Sequence, residues 1–362
     1  MAQTLLEIPT PALVVDVRAL ERNIRRMAEF FESRACKLRP HFKAHKTPEI
    51  ARRQLAAGSC TGLTCATVFE AEIVALMSND ILIANEVVGP DACRRVAALA
   101  KHIKMTIAID SVTGLDQISV AARESGAMVG ALVDVNVGQN RCGVVPGSEA
   151  IALARRIVDA PAVQLRGLMG YEGHAVGIAG RAERETTVRR AMEQLVSTAA
   201  MFVDAGLPTE IVSAGGTGSY DISSSVEGIT EIQAGSYALM DTDYAKLGLP
   251  FEHALSVLGT IISRPVPDRC VADTGHKSCA KDHGNPSVKG IPGASVLTLN
   301  DEHATIAVPS GCGLHIGDHI ELLPSHIDPT MNLHDVVYAV EGEVVVGVWP
   351  IAARGYAALG RV

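Results

Sequence analysis

Short apolar runs alternate with amphipathic helical segments from about residue 12 to residue 250, and then the rhythm changes. Unbroken or alternating apolar runs of four to seven residues read as strands, and recurrence at three- and four-residue steps reads as helix. Residues 12–15 are a first apolar strand, followed by a helix over 18–33 in which Leu20, Ile24, Met27, Phe30 and Phe31 recur at helical spacing. Eight further strands are predicted at 37–40, 62–66, 81–84, 105–109, 131–135, 165–170, 210–213 and 232–234, each followed by a helical or loop-helix segment. Helix starts are marked by Thr47-Pro48, an N-cap with proline in the first turn, by the capping box Thr67-Val-Phe-Glu70, and by Pro90. Eight such units predict an α/β fold, a closed (β/α)8 barrel of the TIM type over residues 17–250. The strand at 12–15 has no slot in that barrel.

From about residue 254 the pattern is period-two or continuous β: 255–262, 295–299, 303–308, 319–323, 336–340 and 343–348, punctuated by Gly and Pro. A C-terminal all-β domain follows, formed by residues 251–362 and taking in residues 1–16.

Composition narrows the class. With 48% apolar and 20% charged residues the chain has material for a large core, which excludes disorder. A net charge of −8, 4% aromatics and no basic tail argue against nucleic-acid binding. The cysteines at 36, 60, 65, 93, 142, 270, 279 and 312 form no C-x-x-C pair and sit mostly in apolar runs, the usage of a cytoplasmic protein. No leader is evident, and no run approaches the ~20 apolar residues of a membrane span.

The chemistry gathers at strand ends. In Arg39-Pro-His-Phe-Lys-Ala-His-Lys46, Pro40 favours an extended segment ending in a loop, so Lys43 projects from the tip of the first barrel strand. Among Arg39, Lys46, His41 and His45 its ammonium form is disfavoured, which suits a Schiff base with an aldehyde cofactor; a solvated basic loop is the plain alternative. Ser213-Ala-Gly-Gly-Thr-Gly-Ser219 follows the seventh strand and Gly235-Ser-Tyr237 the eighth. Either glycine run alone is a tight turn, but two at these barrel positions predict a phosphate site, with Thr217 and Ser236 adding hydroxyls. Lysine, aldehyde and phosphate together describe pyridoxal 5'-phosphate. Arg141, in a glycine-rich loop after the fifth strand, is either a contact to the cofactor's phenolate oxygen or a surface arginine. His174, after the sixth, is an acid–base candidate or a hydrogen-bonding loop histidine.

In the β domain, an extended Ser325-His-Ile-Asp328 would point His326 and Asp328 to one side, where they can share a cation. His276, Cys279 and His283 form a rival set whose spacing fits no closed zinc site and which lacks a fourth ligand.

Arg39-Pro-His-x-Lys43-x-His-Lys46, Asn140-Arg-Cys-Gly143, Gly170-Tyr-x-Gly-His174, Ser213-x-Gly-Gly-Thr217, Gly235-Ser-Tyr237 and Pro324-x-His-x-Asp328-x-Thr-x-Asn332, in this order over nearly the whole chain, resemble the D-threonine aldolase family of alanine-racemase-like pyridoxal phosphate enzymes. The resemblance implies that Lys43 carries the cofactor and that Arg141, Tyr171, Gly216, Thr217, Gly218, Gly235, Ser236 and Tyr237 help to hold it. It further implies a divalent metal, Mn, Mg, Co or Zn, on His326 and Asp328. Two departures are Phe42, where glycine is common, and Ala66, where some members have glutamine. The implied reaction cleaves D-3-hydroxy amino acids to glycine and an aldehyde, with His174 or a water at the metal taking the β-hydroxyl proton. The alternatives are dehydration of the same substrates, whose family members usually show H-x-C where this chain has His326-Ile-Asp328, and a pyridoxal phosphate carrier, which would lack the β domain. A homodimer is implied as well.

Overall fold

Eight short strands run parallel in one sheet of the computed structural model, which describes residues 3–355. They are Lys37–Leu38, Leu63–Cys65, Asp80–Glu86, Lys104–Ile109, Val129–Asp134, Val163–Met169, Ile211–Ala214 and Glu231–Ile232. Each pairs with its sequence neighbour from the second strand to the eighth, and the eighth pairs with the first. Between the first and second strands, the Thr61 N–H donates to the Leu38 carbonyl and the Thr64 N–H to the Pro40 carbonyl, both at 2.9 Å, so the ring of strands is joined all round. Val129–Asp134 is buried at every position, as expected of a parallel strand covered on both faces. Leu82, Ala108, Leu132, Met169 and Ile211, one from each of five successive strands, form a single buried cluster.

The helix-start signals act as their chemistry requires. The Thr67 hydroxyl accepts the Glu70 N–H at 3.1 Å, and the Glu70 carboxylate accepts the Ala66 N–H at 2.7 Å. Helices Pro48–Ala56 and Pro90–Ala100 both begin on their prolines.

By its internal contacts the chain divides into two units. The barrel strands belong to residues 28–43 and 54–235; the other unit comprises residues 3–27, 44–53 and 236–355. The helix Val17–Glu32 begins in one and ends in the other.

In the second unit the N-terminal strand Ala12–Asp16 finds its partners: it is antiparallel to Leu255–Val266 and parallel to Val336–Glu341. Val344–Pro350 pairs beyond Val336–Glu341, while Arg269–Ala272, Ala304–Ala307 and Ser295–Leu299 extend the other side. His319–Leu323 also pairs with Leu255–Val266 and carries Ser287–Val288. Two strands were not expected: Arg269–Ala272, which has only four residues and opens on a charge, and Ser287–Val288, which has two. Both exist through pairing with distant strands, a relation that local pattern does not carry. Residues Ile261, Cys270, Val296, Ile306 and Leu322 pack into this sheet's own core. Among the described residues, no helix is long and apolar enough to cross a membrane.

Candidate active site

Lys43 lies on the 3-10 turn Phe42–Ala44, just past the first barrel strand. The Arg39 N–H donates to the Ile232 carbonyl at 2.8 Å and the His41 N–H to the Ala234 carbonyl at 3.1 Å, so the chain leaving the first strand stays extended against the end of the eighth. The Lys43 N–H then donates to Nδ1 of His41 at 3.4 Å. Phe42 and Ala44 are fully buried and pin the turn on either side of the lysine.

One expectation is corrected. Arg39 adds no open positive charge beside Lys43, because its own side chain is 3% exposed and bonds Glu231 at 2.9 Å and Asp80 at 2.8 Å. Burial works against its charge, and the two carboxylates outweigh it and hold its pKa above the ordinary value. It is a structural cation within the barrel.

The glycine-rich loop leaves the seventh strand at Ala214 and ends on Ser219, the N-cap of the short helix Tyr220–Ser223. The Gln233 N–H donates to the Ala214 carbonyl at 3.0 Å, and its side-chain amide to the Ser213 hydroxyl at 2.8 Å, tying the ends of strands seven and eight together. Gly215 has φ +79°, and a Cβ on Gly218 would lie 2.1 Å from the Val176 carbonyl oxygen, so neither position admits a side chain. Gly216 passes close to the Tyr171 ring, 3.4 Å from where its Cβ would stand. Thr217 is buried within the loop. A lysine amine at the end of strand one and a cradle of N–H and hydroxyl donors after strand seven fit an aldehyde that bears a phosphate. Gly235 ends this unit; the chain continues into the 3-10 turn Ser236–Ala238 of the other, where Tyr237 is buried 5.6 Å from the Phe251 ring.

Sequence reasoning passed over Glu172, between Tyr171 and Gly173. Its carboxylate is fully buried and accepts the hydroxyls of Ser219 and Ser223, both at 2.6 Å, and the Gly215 N–H at 3.2 Å. An acidic residue inside a motif of small and aromatic residues was the available signal.

Arg141, Tyr171 and His174 come from neighbouring loops. The Asn136 carboxamide oxygen accepts the N–H groups of Gly138 and Asn140, both at 3.1 Å, which folds the loop carrying Arg141. The guanidinium carbon of Arg141 is 5.7 Å from the Tyr171 ring centroid. His174 is exposed, and its ring lies against Gly138, whose φ is +120° and whose Cβ, were there one, would be 2.8 Å from Cε1. Around Asp134, the last residue of the fifth strand, stand Arg141, Glu86 at the end of the third strand and Asp110 just past the fourth. Burial pushes the Asp134 carboxyl up to about 8, helped by a hydrogen bond with Glu86 and by the charges of Glu86 and Asp110, against the pull of Arg141.

In the other unit, His326 and Asp328 are brought together by a different route from the one expected. The segment is not extended; His326 is the N-cap of the short helix Ile327–Asn332, and Asp328 lies in its first turn. The Asp241 carboxylate accepts the Ile327 N–H at 3.2 Å and the Tyr244 N–H at 2.9 Å, anchoring this turn. Burial nevertheless pushes Asp241 up to about 6. Nε2 of His326 is 3.7 Å from Oδ2 of Asp328. Two donors on one tetrahedral or octahedral ion stand roughly 3 to 3.4 Å apart, so the pair fits a cation with little movement. Nδ1 of His326 meets Oδ2 of Asp282 at 2.6 Å, and the His283 ring stacks on His326 with centroids 4.2 Å apart. The ligand atoms of Asp282, His283 and His326 all lie within 4.8 Å of one another. The rival set does not gather: His276 bonds Asp301 at 2.9 Å, Cys279 is buried, and His283 lies instead with Asp282 and His326.

The family model described as "Alanine racemase, N-terminal domain" matches residues 15–243, and the "Putative serine dehydratase domain" model matches residues 254–340. A D-threonine aldolase from Arthrobacter sp is 40% identical over 358 residues, 97% of this chain and 94% of that protein. The crystal structure of D-threonine aldolase from Filomicrobium marinum superposes with a TM-score of 0.95 at 36% identity, covering 98% of both chains. D-threo-3-hydroxyaspartate dehydratase from Delftia sp. HT23 superposes with a TM-score of 0.89 at 27% identity, over 98% of this chain and all of that one. D-threo-3-hydroxyaspartate dehydratase has also been solved as a histidine-to-alanine mutant and, in the metal-free form, as a cysteine-to-alanine mutant two positions further on, superposing at 26% identity.

Proposed function

We propose a function from one premise: the chain belongs to the D-threonine aldolase family. It is a carbon–carbon lyase that cleaves D-3-hydroxy amino acids of the D-threonine type to glycine and an aldehyde, with pyridoxal 5'-phosphate and a divalent ion such as Mn²⁺. The barrel of residues 17–250 carries the cofactor, and the β domain of residues 1–16 and 251–362 carries the metal.

Lys43 supplies the amine that anchors the cofactor's aldehyde. Thr217 and its loop, with Gly235 and the Ser236–Tyr237 turn, hold the phosphate, and Arg141, set against the Tyr171 ring, meets the phenolate oxygen. Nε2 of His326 and Oδ2 of Asp328 hold the ion, a donor pair suited to borderline and hard cations. When bound, the cofactor draws off the electron pair of the breaking bond, and the ion acidifies the substrate's β-hydroxyl. His174 accepts the hydroxyl proton on its imidazole; the Cα–Cβ bond breaks, the C–O bond becomes the aldehyde carbonyl, and Cα gains a proton to give glycine.

The observation that carries cleavage over dehydration is Asp328. It stands two residues after the histidine, the spacing at which the dehydratase mutants replace a histidine and a cysteine, and in this chain the second group is a carboxylate. None of the eight cysteines forms a disulfide, which supports a reducing, cytoplasmic setting, and the family supports a homodimer. The test is product analysis on D-threonine and 3-hydroxy-D-aspartate: glycine with an aldehyde supports the reading, and ammonia with an oxoacid makes the chain a dehydratase.

A further inference from the structure

Glu172 is a buried carboxylate that no step above uses, and it sits where a negative charge is least expected, beneath a loop read as an anion cradle. We infer that Glu172 is a positioning residue that sets the shape of the phosphate-holding loop by drawing Gly215, Ser219 and Ser223 onto one side chain. The inference rests on the cofactor reading above.

Three donors converge on its two oxygens. Oε1 accepts both serine hydroxyls at 2.6 Å, within the short range of charge-assisted O–H···O⁻ bonds, and Oε2 accepts the Gly215 N–H at 3.2 Å. Only an acceptor-only group satisfies three donors; a glutamine would turn an N–H₂ towards one of them. The effect passes one bond further. Ser219, whose hydroxyl donates to Glu172, accepts the Gly216 N–H at 3.2 Å. The N–H groups of Gly215 and Gly216 are thus committed inward, to Glu172 and through Ser219. Gly215 can be drawn in because its φ of +79° is open to glycine. The same carboxylate fastens the sixth-strand loop to the seventh-strand loop, which fixes Tyr171 against Gly216.

The test compares apoenzyme affinity for pyridoxal 5'-phosphate and for pyridoxal, which lacks the phosphate, by equilibrium dialysis. Glu172→Gln is expected to weaken the phosphorylated ligand roughly tenfold to a hundredfold, the scale of one lost charge-assisted hydrogen bond, and to leave pyridoxal within about twofold. Ser223→Ala, which removes one donor and keeps the charge, gives a smaller loss in the same direction and serves if the glutamine variant does not fold. A purely structural role would weaken both ligands alike, and that result overturns the inference, as does unchanged affinity for both. If the wild-type protein itself fails to prefer the phosphorylated ligand, the cofactor reading falls and this inference with it.

Discussion

Nδ1 of His326 lies 2.6 Å from Oδ2 of Asp282, while Nε2 of the same ring lies 3.7 Å from Oδ2 of Asp328. One nitrogen is held by a carboxylate and the other is left toward a second carboxylate, the arrangement by which a metal-binding histidine is oriented. Chelation and Asp328→Ala should therefore both abolish turnover while the cofactor's absorbance stays, and Asp282→Asn should weaken the metal about 10- to 100-fold. Metal content and titration calorimetry provide the check. If Asp282→Asn removes the ion entirely while Asp328→Ala keeps it, the ion belongs to Asp282, His283 and His326 instead.

Lys43 is expected to be the one lysine fixed to the cofactor by borohydride. Peptide mapping after reduction should recover the label on residue 43, on the turn Phe42–Ala44. A label on Lys46 would refute the assignment.

His174→Ala should act on turnover and not on the fold, because the ring is exposed. If His174 takes the β-hydroxyl proton, kcat falls by about a hundredfold, the scale of general-base catalysis, with the melting temperature shifted little. Unchanged kcat would show that His174 is not the base. Gly138→Ala would blur the test, since its φ of +120° strains any side chain and its Cβ would also stand 2.8 Å from Cε1 of the ring.

Asp134 should make stability fall with rising pH. Its carboxyl, raised from 3.8 to about 8 by burial, then by Glu86 and Asp110, keeps in the folded state a proton that the unfolded chain releases above about pH 4. The folded state binds the extra proton, so this group's contribution is complete below pH 4 and is lost as pH rises to about 8. Urea unfolding at pH 5 and pH 8 should show the decline in wild type and a weaker one in Asp134→Asn. Equal declines would sink the assignment.

Arg39→Met should cost about 3–5 kcal/mol, because it strands the Glu231 carboxylate, 4% exposed, without its cation. A loss below about 1 kcal/mol in denaturant titration would mean that the ion triad is dispensable.

The alternation of short apolar runs with helical periods determined, unaided, the eight parallel strands, the displaced strand Ala12–Asp16 and the β-rich C-terminal region, because strand and helix periods are local and every unit repeats them. The same locality placed Lys43 and the glycine-rich loop at strand ends. What tertiary structure decided is which distant groups meet. Arg39 reads as an open cation until Glu231, 192 residues away, closes on it. His326 and Asp328 meet through a helical first turn anchored by Asp241, and not through the extended spacing that suggested them. Glu172 reads as one polar residue in a loop until Gly215, Ser219 and Ser223 arrive from the next strand's end. A hydrogen bond of this kind depends on positions a few tenths of an ångström apart, set by packing of the whole unit, and no periodicity along the chain encodes it.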